Sequence, residues 1–537
     1  MTAEVLCKEK IAELEAIETN DKLDPRLHER ANEVIATLNN VGNSTVNDLD
    51  SNKHLMNALL EQQRLSYLAA ANLQGGALTH VLHIMDAQPK WRDTKPLEVE
   101  ESQIDTLANR LIYSSFQHTP GKPYPDSFPD APPAHRDKTA LMVGTDMQGI
   151  TERVMAYTNK HDIPIEPYFF DYIVEKAIIE ESSMDQIKAI SAYNEKRFEG
   201  MHKRISMRTN APEAATVDEK KDPKGKKEKA FDLSLKPFLD VTMSNNGSFV
   251  LTKPPSREDA AQDKIDYKDY LKLFFELIDQ PWKQIEQAHK HLIGKLNAAD
   301  KVHIVDKESG TNIRFSIKGS KWVNSLMLRN IPGSEVFAAP VKDSVNGTLA
   351  AKGRFKFKTY GVIEDIKLKF ENGRIVDWDA KTKKQKEELG KIIKLDDGKG
   401  EGSRFLGEFG IGTNPWLRQH VINPLLVEKI KGSFHLAIGK AYTYDKYDGE
   451  EVKVDNGNRS ASDVHWDVTS LMSKNSRMVL DEGTDKEYTV LKDGNFPDKA
   501  LRVLNEGWNA IPPQDRPNYW QNRLAKGEAT SDKAVGA

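Results

Sequence analysis

The chain has 537 residues, of which 38% are hydrophobic and 29% charged, with a net charge of −4 at neutral pH. This length corresponds to about three or four domains of ordinary size, or two large ones. With 77 basic against 81 acidic residues, bulk charge gives no reason to bind nucleic acid or an anionic membrane. A single cysteine, Cys7, excludes an internal disulfide and any cysteine-based metal site. Without an apolar run of membrane-spanning length or a secretory signal pattern, we expect a cytoplasmic protein without a membrane partner.

The first 95 residues predict helices only. Ile11, Leu14 and Ile17 recur at helical spacing, and Asp24 with Pro25 forms a helix start before the next apolar stripe. A further apolar run ends before two glycines. We therefore predict a helical N-terminal extension, residues 1–95, whose apolar faces pack on the α/β domain that follows or across the cleft between the domains.

Residues 96–300 predict an α/β domain. Apolar runs at 139–143 and 163–170 flank a helical pattern at 150–160, which indicates a β-α-β unit and a parallel sheet. Two loops interrupt this region. The loop at 120–133 contains six prolines, and the lysine-rich loop at 205–230 carries interspersed acidic residues that favour a solvated surface over a polyanion site.

The hydrophobic period changes to two from residue 301. Ile313, Phe315 and Ile317 alternate with polar residues, and Asn372-Gly373 is the preferred sequence of a tight hairpin turn. Residues 301–537 therefore predict a mainly antiparallel, β-rich domain. The predicted fold class is α/β plus α+β: a helical N-terminal extension, an α/β domain with a parallel sheet, and this β domain.

The β domain also contains carboxylates and histidines in unusually apolar surroundings. The common H-E-x-x-H, P-loop and G-x-S-x-G motifs are missing. A carboxylate or imidazole among Phe, Leu, Ala and Gly is costly to bury unless it is paired or bound to a metal. The candidate residues are Glu335 in IPGSEVFAAP, Glu408 in FLGEFGIG, His435 in FHLAIGKAY, and His465 and Asp467 in DVHWD.

These residue types are suited to divalent metals. His465 and Asp467 are two positions apart, so an extended segment would place both on one face. Oxygen and nitrogen ligands without thiolates fit Zn²⁺, Co²⁺ or Mn²⁺, and five ligands suit two metals better than one. Two alternatives remain open from the residues alone: His435 as a hydrogen-bonded core histidine, and Glu408 as an ion-pair partner of Arg404.

Four stretches of this domain resemble the metal-binding motifs of the aminopeptidase T family, in the family's order: NIPGSEVFAAPVKDSVNG, LGEFGIGTN, HLAIGKAY and NRSASDVHWD. The resemblance covers about residues 100–537, whereas residues 1–95 have no counterpart that we recognise. Ala338 is a departure, since the family has threonine there. The family consists of dinuclear metalloaminopeptidases that form homodimers, with an α/β domain followed by a β-rich catalytic domain.

The resemblance implies a role for each candidate. The ligands of two divalent ions (Zn, Co or Mn) would be Glu335, Glu408, His435, His465 and Asp467. Tyr442 would be the family's active-site tyrosine. Independently of the resemblance, a glutamate next to the metals can relay a proton from water, and we expect Glu408 to do so. We therefore expect hydrolysis of the N-terminal peptide bond of a peptide substrate.

Two other functions are compatible with these residues. A non-heme iron, ring-cleaving dioxygenase would use His435, His465 and Asp467 as a facial triad. The chain would otherwise be a metal-stabilised binding protein without activity. The presence of both Glu335 and Glu408 favours two metals and hydrolysis.

Overall fold

The computed structural model describes residues 2–42, 49–91, 97–125, 128, 131–357, 360–458, 462 and 464–525. Parts of three predicted segments lie outside these residues: 43–48 and 92–95 of the helical extension, 126, 127, 129 and 130 of the proline-rich loop, and 459–461 and 463 of the fourth motif. The chain divides into two compact units. The first comprises Met1–His118 with Phe128–Pro254, and the second Thr119–Ser127 with Pro255–Ala537.

The first unit combines helices with a parallel sheet. Its helices are α1 (Thr2–Glu18), α2 (Pro25–Gly42), α3 (Leu49–Ala71), α4 (Gly75–Ala87), α5 (Glu101–Ile112), α6 (Gln148–Lys160), α7 (Tyr172–Glu181), α8 (Met184–Arg197), α9 (Lys226–Leu233) and α10 (Lys236–Thr242). Its strands are β1 (Thr139–Gly144), β2 (Ile165–Phe170), β3 (Lys203–Met207) and β4 (Ser248–Thr252).

The four strands pair in parallel in the order β2-β1-β3-β4. Strand β1 is buried at every position, as expected for a central strand of a parallel sheet covered on both faces. The predicted β-α-β unit is present as β1, α6 and β2. The lysine-rich segment contains the end of β3 and the start of α9.

The N-terminal helices pack on the outer strand β2. Lys10 of α1 donates to Glu166 of β2 at 2.8 Å, and both side chains are buried. From α3, the amide of Gln63 donates to the Phe169 carbonyl at 2.8 Å and accepts from the Phe169 N–H at 3.0 Å. This bridge satisfies backbone groups that an edge strand would otherwise expose. Helices α1 and α3 are therefore part of the first unit's core.

The second unit is mainly antiparallel. Its helices are α11 (Arg257–Asp263), α12 (Tyr267–Ile278), α13 (Trp282–Ala298), α14 (Lys383–Ile393), α15 (Pro424–Val427), α16 (Arg502–Glu506) and α17 (Asn518–Ala525). Its strands are β5 (Lys301–Asp306), β6 (Thr311–Ser316), β7 (Val323–Ser325), β8 (Asn330–Ile331), β9 (Glu335–Ala338), β10 (Asn346–Lys356), β11 (Val362–Glu371), β12 (Arg374–Asp379), β13 (Leu406–Gly412), β14 (Ser433–Gly439), β15 (Lys446–Tyr447), β16 (Glu450–Glu451), β17 (His465–Leu471), β18 (Arg477–Leu480) and β19 (Tyr488–Lys492).

Two larger sheets organise this unit. Seven strands pair in the order β12-β11-β10-β6-β5-β18-β19, and five in the order β17-β14-β13-β9-β7. The hairpin predicted at Asn372-Gly373 joins β11 to β12, and both turn residues have the positive φ that such a turn requires. In the five-stranded sheet, β13 and β14 are buried at every position, so this sheet lies in the core.

The helices, the parallel sheet and the antiparallel sheets confirm the predicted fold class. The predicted domain boundaries at residues 95 and 300 stay a prediction. Among the described residues, no helix combines the length and the apolar character that a membrane span needs.

Candidate metal centre

The five candidate ligands lie on the five-stranded sheet. Glu335 opens β9, Glu408 lies in β13, His435 in β14, and His465 and Asp467 in β17. These strands are neighbours in the order β17-β14-β13-β9, although 132 positions of sequence separate the first candidate from the last. The sheet therefore gathers residues that are far apart in the chain.

The strand register places all five side chains on one face. Ala437 of β14 lies opposite both Glu408 and Asp467, so the two carboxylates flank it on neighbouring strands. His435 is two residues before Ala437 and therefore points the same way, as His465 does relative to Asp467. Glu335 pairs with Gly412, which is four residues after Glu408 and so shares its face.

Contacts between the side chains form a continuous chain across this face. Nε2 of His435 lies 3.0 Å from Oε1 of Glu408 and 3.6 Å from Oε2 of Glu335. Nε2 of His465 lies 3.8 Å from Oε2 of Glu408 and 3.7 Å from Oδ2 of Asp467. The structure thus brings together all five residues singled out from the sequence, as one cluster of ligand-type atoms.

The cluster has a closed end and an open end. Glu335, Glu408 and His435 are buried, whereas the side chains of His465 and Asp467 are 26% and 19% exposed. Burial, followed by the negative charge of Asp467, raises the pKa of Glu408 well above its usual range. A buried carboxylate with this environment holds a proton unless a cation compensates its charge.

A backbone hydrogen bond orients His465. Its Nδ1 lies 2.7 Å from the carbonyl oxygen of Lys440, and this contact requires the proton to be on Nδ1 because a carbonyl only accepts. The lone pair of a neutral ring is then on Nε2, the atom that faces Glu408 and Asp467. Metal-binding histidines are typically fixed by this arrangement.

Four buried polar atoms of the cluster test whether it fits a metal. They have no hydrogen-bond partner among the described residues: Oε2 of Glu335, Oε2 of Glu408, Nδ1 of His435 and Oδ1 of Asp467. Buried polar atoms in native proteins are normally paired, so four such atoms in one cluster indicate a missing partner. Carboxylate oxygens with imidazole nitrogens and no thiolate fit divalent cations such as Zn²⁺, Co²⁺ or Mn²⁺.

Sequence reasoning missed two residues of the centre, Glu428 and Lys429. Among the residues that the structure describes, two groupings of side chains could hold a cation: one comprises Glu335, Glu408 and His435, and the other comprises Glu428, His435 and Asp467. Lys429 donates to Oε1 of Glu335 at 2.5 Å and to Oε1 of Glu428 at 2.9 Å. A signal was present in the sequence, because this charged pair interrupts the apolar run from Leu425 to Ile430.

The structure decides between the alternatives left open for Glu408 and His435. Arg404 pairs with Asp397 at 2.6 Å, so the ion pair with Glu408 is excluded. His435 is a buried histidine, but its Nδ1 has no partner in the described part of the chain. His289 shows what a core histidine looks like: its two nitrogens lie 2.6 Å from Asn324 Oδ1 and 2.7 Å from Thr413 Oγ1, and burial lowers its pKa to about 4.

Tyr442 lies beside the open end of the cluster. Its ring centroid is 5.1 Å from that of His465 and 5.6 Å from that of Phe337. The side chain is half-buried in an aromatic cluster that continues to Tyr444, at 5.3 Å. Burial, and next to it the charge of Glu408, raises the pKa of Tyr442 well above its usual range, so its hydroxyl keeps its proton.

A family model for thermophilic metalloproteases of the M29 family matches residues 145–496, which is well over half of the chain. The chain therefore belongs to this family. The matched region contains Glu428, Lys429, Tyr442 and the five candidate ligands.

Curated relatives agree with this assignment. The chain is similar to aminopeptidase AmpS of Bacillus subtilis, with 29% identity over 40% of the chain and 54% of that protein. It is similar to aminopeptidase 2 of Geobacillus stearothermophilus, with 34% identity over 31% of the chain and 40% of that protein. A third relative, aminopeptidase T of Thermus aquaticus, is 29% identical over 28% of the chain and 38% of its own length. The chain thus spans about half the length, or less, of the curated relatives that it matches.

Comparison with a solved structure supports the fold. The structure of wild-type AmpT from Thermus thermophilus aligns over 74% of this chain and 100% of that chain, with a TM-score of 0.57 and 18% identity. A second structure, a dihydroxypyridine dioxygenase from Pseudomonas putida KT2440, aligns with a TM-score of 0.42 and 12% identity, a likeness too weak to bear on fold or reaction.

Proposed function

We propose that the protein is an aminopeptidase that removes the N-terminal residue of peptides at a centre of two divalent cations. The observation that carries this proposal is the cluster itself: five ligand-type side chains on one sheet face, with four buried atoms that have no hydrogen-bond partner in the described chain. Membership of a metalloprotease family and similarity to three aminopeptidases support the reaction.

The charge of the cluster supports two cations. Four carboxylates, those of Glu335, Glu408, Glu428 and Asp467, face one ammonium group, that of Lys429. A single divalent cation would leave excess negative charge in a buried site, which is unfavourable. Two divalent cations would make the net charge of the cluster positive, and this would favour the binding of one anionic group from solvent or substrate. We propose Glu335, Glu408, His435, His465 and Asp467 as ligands, with Glu428 as a further one.

The cations, when bound, would lower the pKa of a water molecule and polarise the carbonyl of the scissile bond. The chain's own residues would transfer the proton and recognise the substrate. Glu408 lies between the two histidines, so its carboxylate can hold the proton that the attacking water gives up. The partly exposed Asp467 can accept a hydrogen bond from the free α-amine of a substrate, which would restrict cleavage to the N-terminal residue.

Tyr442 would act on the developing negative charge. Its proton is firmly held, and its ring lies against His465, at the end of the cluster that solvent reaches. A hydroxyl there can donate to the tetrahedral oxyanion, and one such donor typically contributes about 2.7–4 kcal/mol to the transition state. We therefore propose Glu408 and Tyr442 as catalytic residues.

The finer properties follow from the family resemblance. We propose Zn²⁺, Co²⁺ or Mn²⁺ as the metals and a homodimer as the assembly, and, independently of the resemblance, a peptide as the substrate and the cytoplasm as the location. The oxygen and nitrogen ligands of the cluster support this choice of metals.

The test is a panel of aminoacyl anilides and dipeptides offered to protein freed of metal by a chelator and then reloaded with each metal. Turnover should return with Zn²⁺, Co²⁺ or Mn²⁺, and N-acetylation of the substrate should abolish it. The His435→Gln variant should stay inactive, whereas His289→Gln should retain the metal-dependent signal. Activity only with ferrous iron and oxygen, on an aromatic ring, would instead identify a dioxygenase.

A further inference from the structure

Lys429 is a buried lysine whose ammonium group lies between two carboxylates of the metal centre. Its side chain is only 1% exposed, and Nζ donates to Glu335 at 2.5 Å and to Glu428 at 2.9 Å. An ammonium group is expensive to bury unless it is paired and hydrogen-bonded. The two hydrogen bonds offset the cost of burying the ammonium group of Lys429. Because they lead to two carboxylates of the same centre, they also indicate the function of this lysine.

The two carboxylates belong to different groupings of ligand-type atoms. Glu335 groups with Glu408 and His435, whereas Glu428 groups with His435 and Asp467. Lys429 takes one oxygen from each of the two glutamates. The other oxygen of Glu335, Oε2, lies 3.6 Å from His435 Nε2 and has no hydrogen-bond partner among the described residues. Glu335 therefore turns one oxygen to the ammonium group and the other to the centre.

The backbone holds Lys429 in this position. Its N–H donates to the Leu426 carbonyl at 2.9 Å, at the end of α15, and its own carbonyl accepts from the Asn414 N–H at 3.0 Å. Asn414 follows β13, the strand that carries Glu408. The ammonium group is thus anchored to the same framework as the candidate ligands.

We infer that Lys429 is a positioning residue that limits Glu335 and Glu428 to one coordinating oxygen each and takes the place of a cation in the metal-free centre. The inference rests on the proposed function, since it concerns the same metal centre. An ammonium group has three donors and can bond to both carboxylates at once. Those bonds would keep both Oε1 atoms from coordinating a metal.

The experiment uses two variants of the full chain, each with a single substitution: Lys429→Met and Lys429→Arg. Lys431→Met is the matched control, because Lys431 donates to the Gly494 carbonyl at 2.9 Å and to Asn495 Oδ1 at 2.7 Å, neither of which is a carboxylate. Two properties are measured for each protein: the visible absorption spectrum of the Co²⁺-loaded form, and the Tm of the metal-free and Co²⁺-loaded forms.

Lys429→Met should change the shape and intensity of the cobalt spectrum, because the freed oxygens can enter the coordination shell and alter its geometry. Relative to the wild type, the Tm of this variant should fall more in the metal-free form than in the cobalt-loaded form. Cobalt should therefore raise the Tm of the variant by more than it raises the Tm of the wild type. Lys429→Arg keeps the charge and should restore most of the metal-free Tm, while its planar fork still shifts the spectrum. Lys431→Met should match the wild type in both properties.

Cobalt spectra of both Lys429 variants that superimpose on the wild-type spectrum, with an equal Tm gain from cobalt, would overturn the inference and leave Lys429 as a structural ion-pair partner. If Lys429→Met does not fold, the spectrum of Lys429→Arg decides in the same way. A wild-type protein that binds no cobalt and releases no N-terminal residue would contradict the proposed function instead, so the two failures are distinguishable.

Discussion

Gly410 pairs directly with His435 across β13 and β14, and a Cβ atom on residue 410 would lie 2.2 Å from Cε1 and Nε2 of the imidazole ring. The ring of His435 therefore lies over the backbone of β13 in space that only glycine leaves open. This close approach is what allows Nε2 to reach Glu408 on the same strand at 3.0 Å.

Gly410→Ala should accordingly displace His435 and weaken metal binding. Overpacking of this kind costs about 1–3 kcal/mol of stability, and the metal affinity should fall because a proposed ligand moves. Metal content after dialysis, together with the Tm, checks both effects. Gly294→Ala is the control, since a Cβ atom there meets no other atom within 4 Å. Full metal content in Gly410→Ala would show that His435 is not a ligand.

Tyr442→Phe should lower kcat by about 100-fold or more and leave the metal content unchanged, because it removes one donor to the oxyanion and no ligand. The measurement is steady-state hydrolysis of an aminoacyl anilide, with metal analysis on the same sample. Tyr444→Phe, in the adjacent ring of the aromatic cluster, serves as the control and should turn over at close to the wild-type rate. Wild-type turnover by a fully metal-loaded Tyr442→Phe would mean that the hydroxyl is only structural.

Glu175 should make the first unit less stable as the pH rises. Burial, and next to it the charges of Asp171 and Asp232, raises the pKa of Glu175 from 4.5 to about 8. The folded state then holds a proton that the unfolded state releases between these two values. The free energy of unfolding should fall with rising pH in this window, by up to about 1.4 kcal/mol per pH unit.

Glu175→Gln mimics the protonated carboxyl and should remove this dependence. Urea unfolding at pH 5, 7 and 9 should show a variant close to the wild type at pH 5 and clearly more stable at pH 9. Glu195→Gln, at an exposed position of α8, should change stability little at each pH. An equal stability difference between Glu175→Gln and the wild type at all three values would contradict the argument.

Glu166 should be essential for holding the N-terminal helices on the sheet. It accepts from Lys10 at 2.8 Å and from Arg197 at 2.6 Å, and all three side chains are almost fully buried. Glu166→Gln removes the carboxylate that pairs with Arg197 and leaves Lys10 with Glu13 as its carboxylate partner, a loss of about 3–5 kcal/mol. Glu9→Gln removes the exposed pair with Lys138 and should lose less than about 1 kcal/mol. Similar Tm values for the two variants would refute the ion network's role.

Local sequence was sufficient to find much of this arrangement. Alternation at Ile313, Phe315 and Ile317 identifies a β-strand, and Asn372-Gly373 identifies a hairpin, because both signals depend on near neighbours. His435 and Glu408 are recognisable in the sequence because each interrupts an apolar run, where burying an ionisable side chain is costly. The same criterion applies to Glu428 and Lys429, which were nevertheless overlooked, since an adjacent acid and base resemble an ordinary surface pair.

Long-range pairing could not be predicted in the same way. The alignment of Ala437 with both Glu408 and Asp467 depends on the register of three strands, which local patterns leave undetermined. The alternative pairing of Glu408 with Arg404 is not formed, because the guanidinium of Arg404 bonds to both carboxylate oxygens of Asp397. The contact of Lys10 with Glu166 joins residues 156 positions apart, and only the folded first unit reveals it.

The most direct test of the account is a titration of the metal-free protein with Zn²⁺ or Co²⁺, with the hydrolysis of an aminoacyl anilide recorded at each added equivalent. The account predicts that binding saturates at two equivalents per chain and that turnover reaches its plateau at the same point. Saturation at one equivalent would contradict the dinuclear centre. Turnover that persists without metal, or full loading without any hydrolysis, would contradict the proposed reaction.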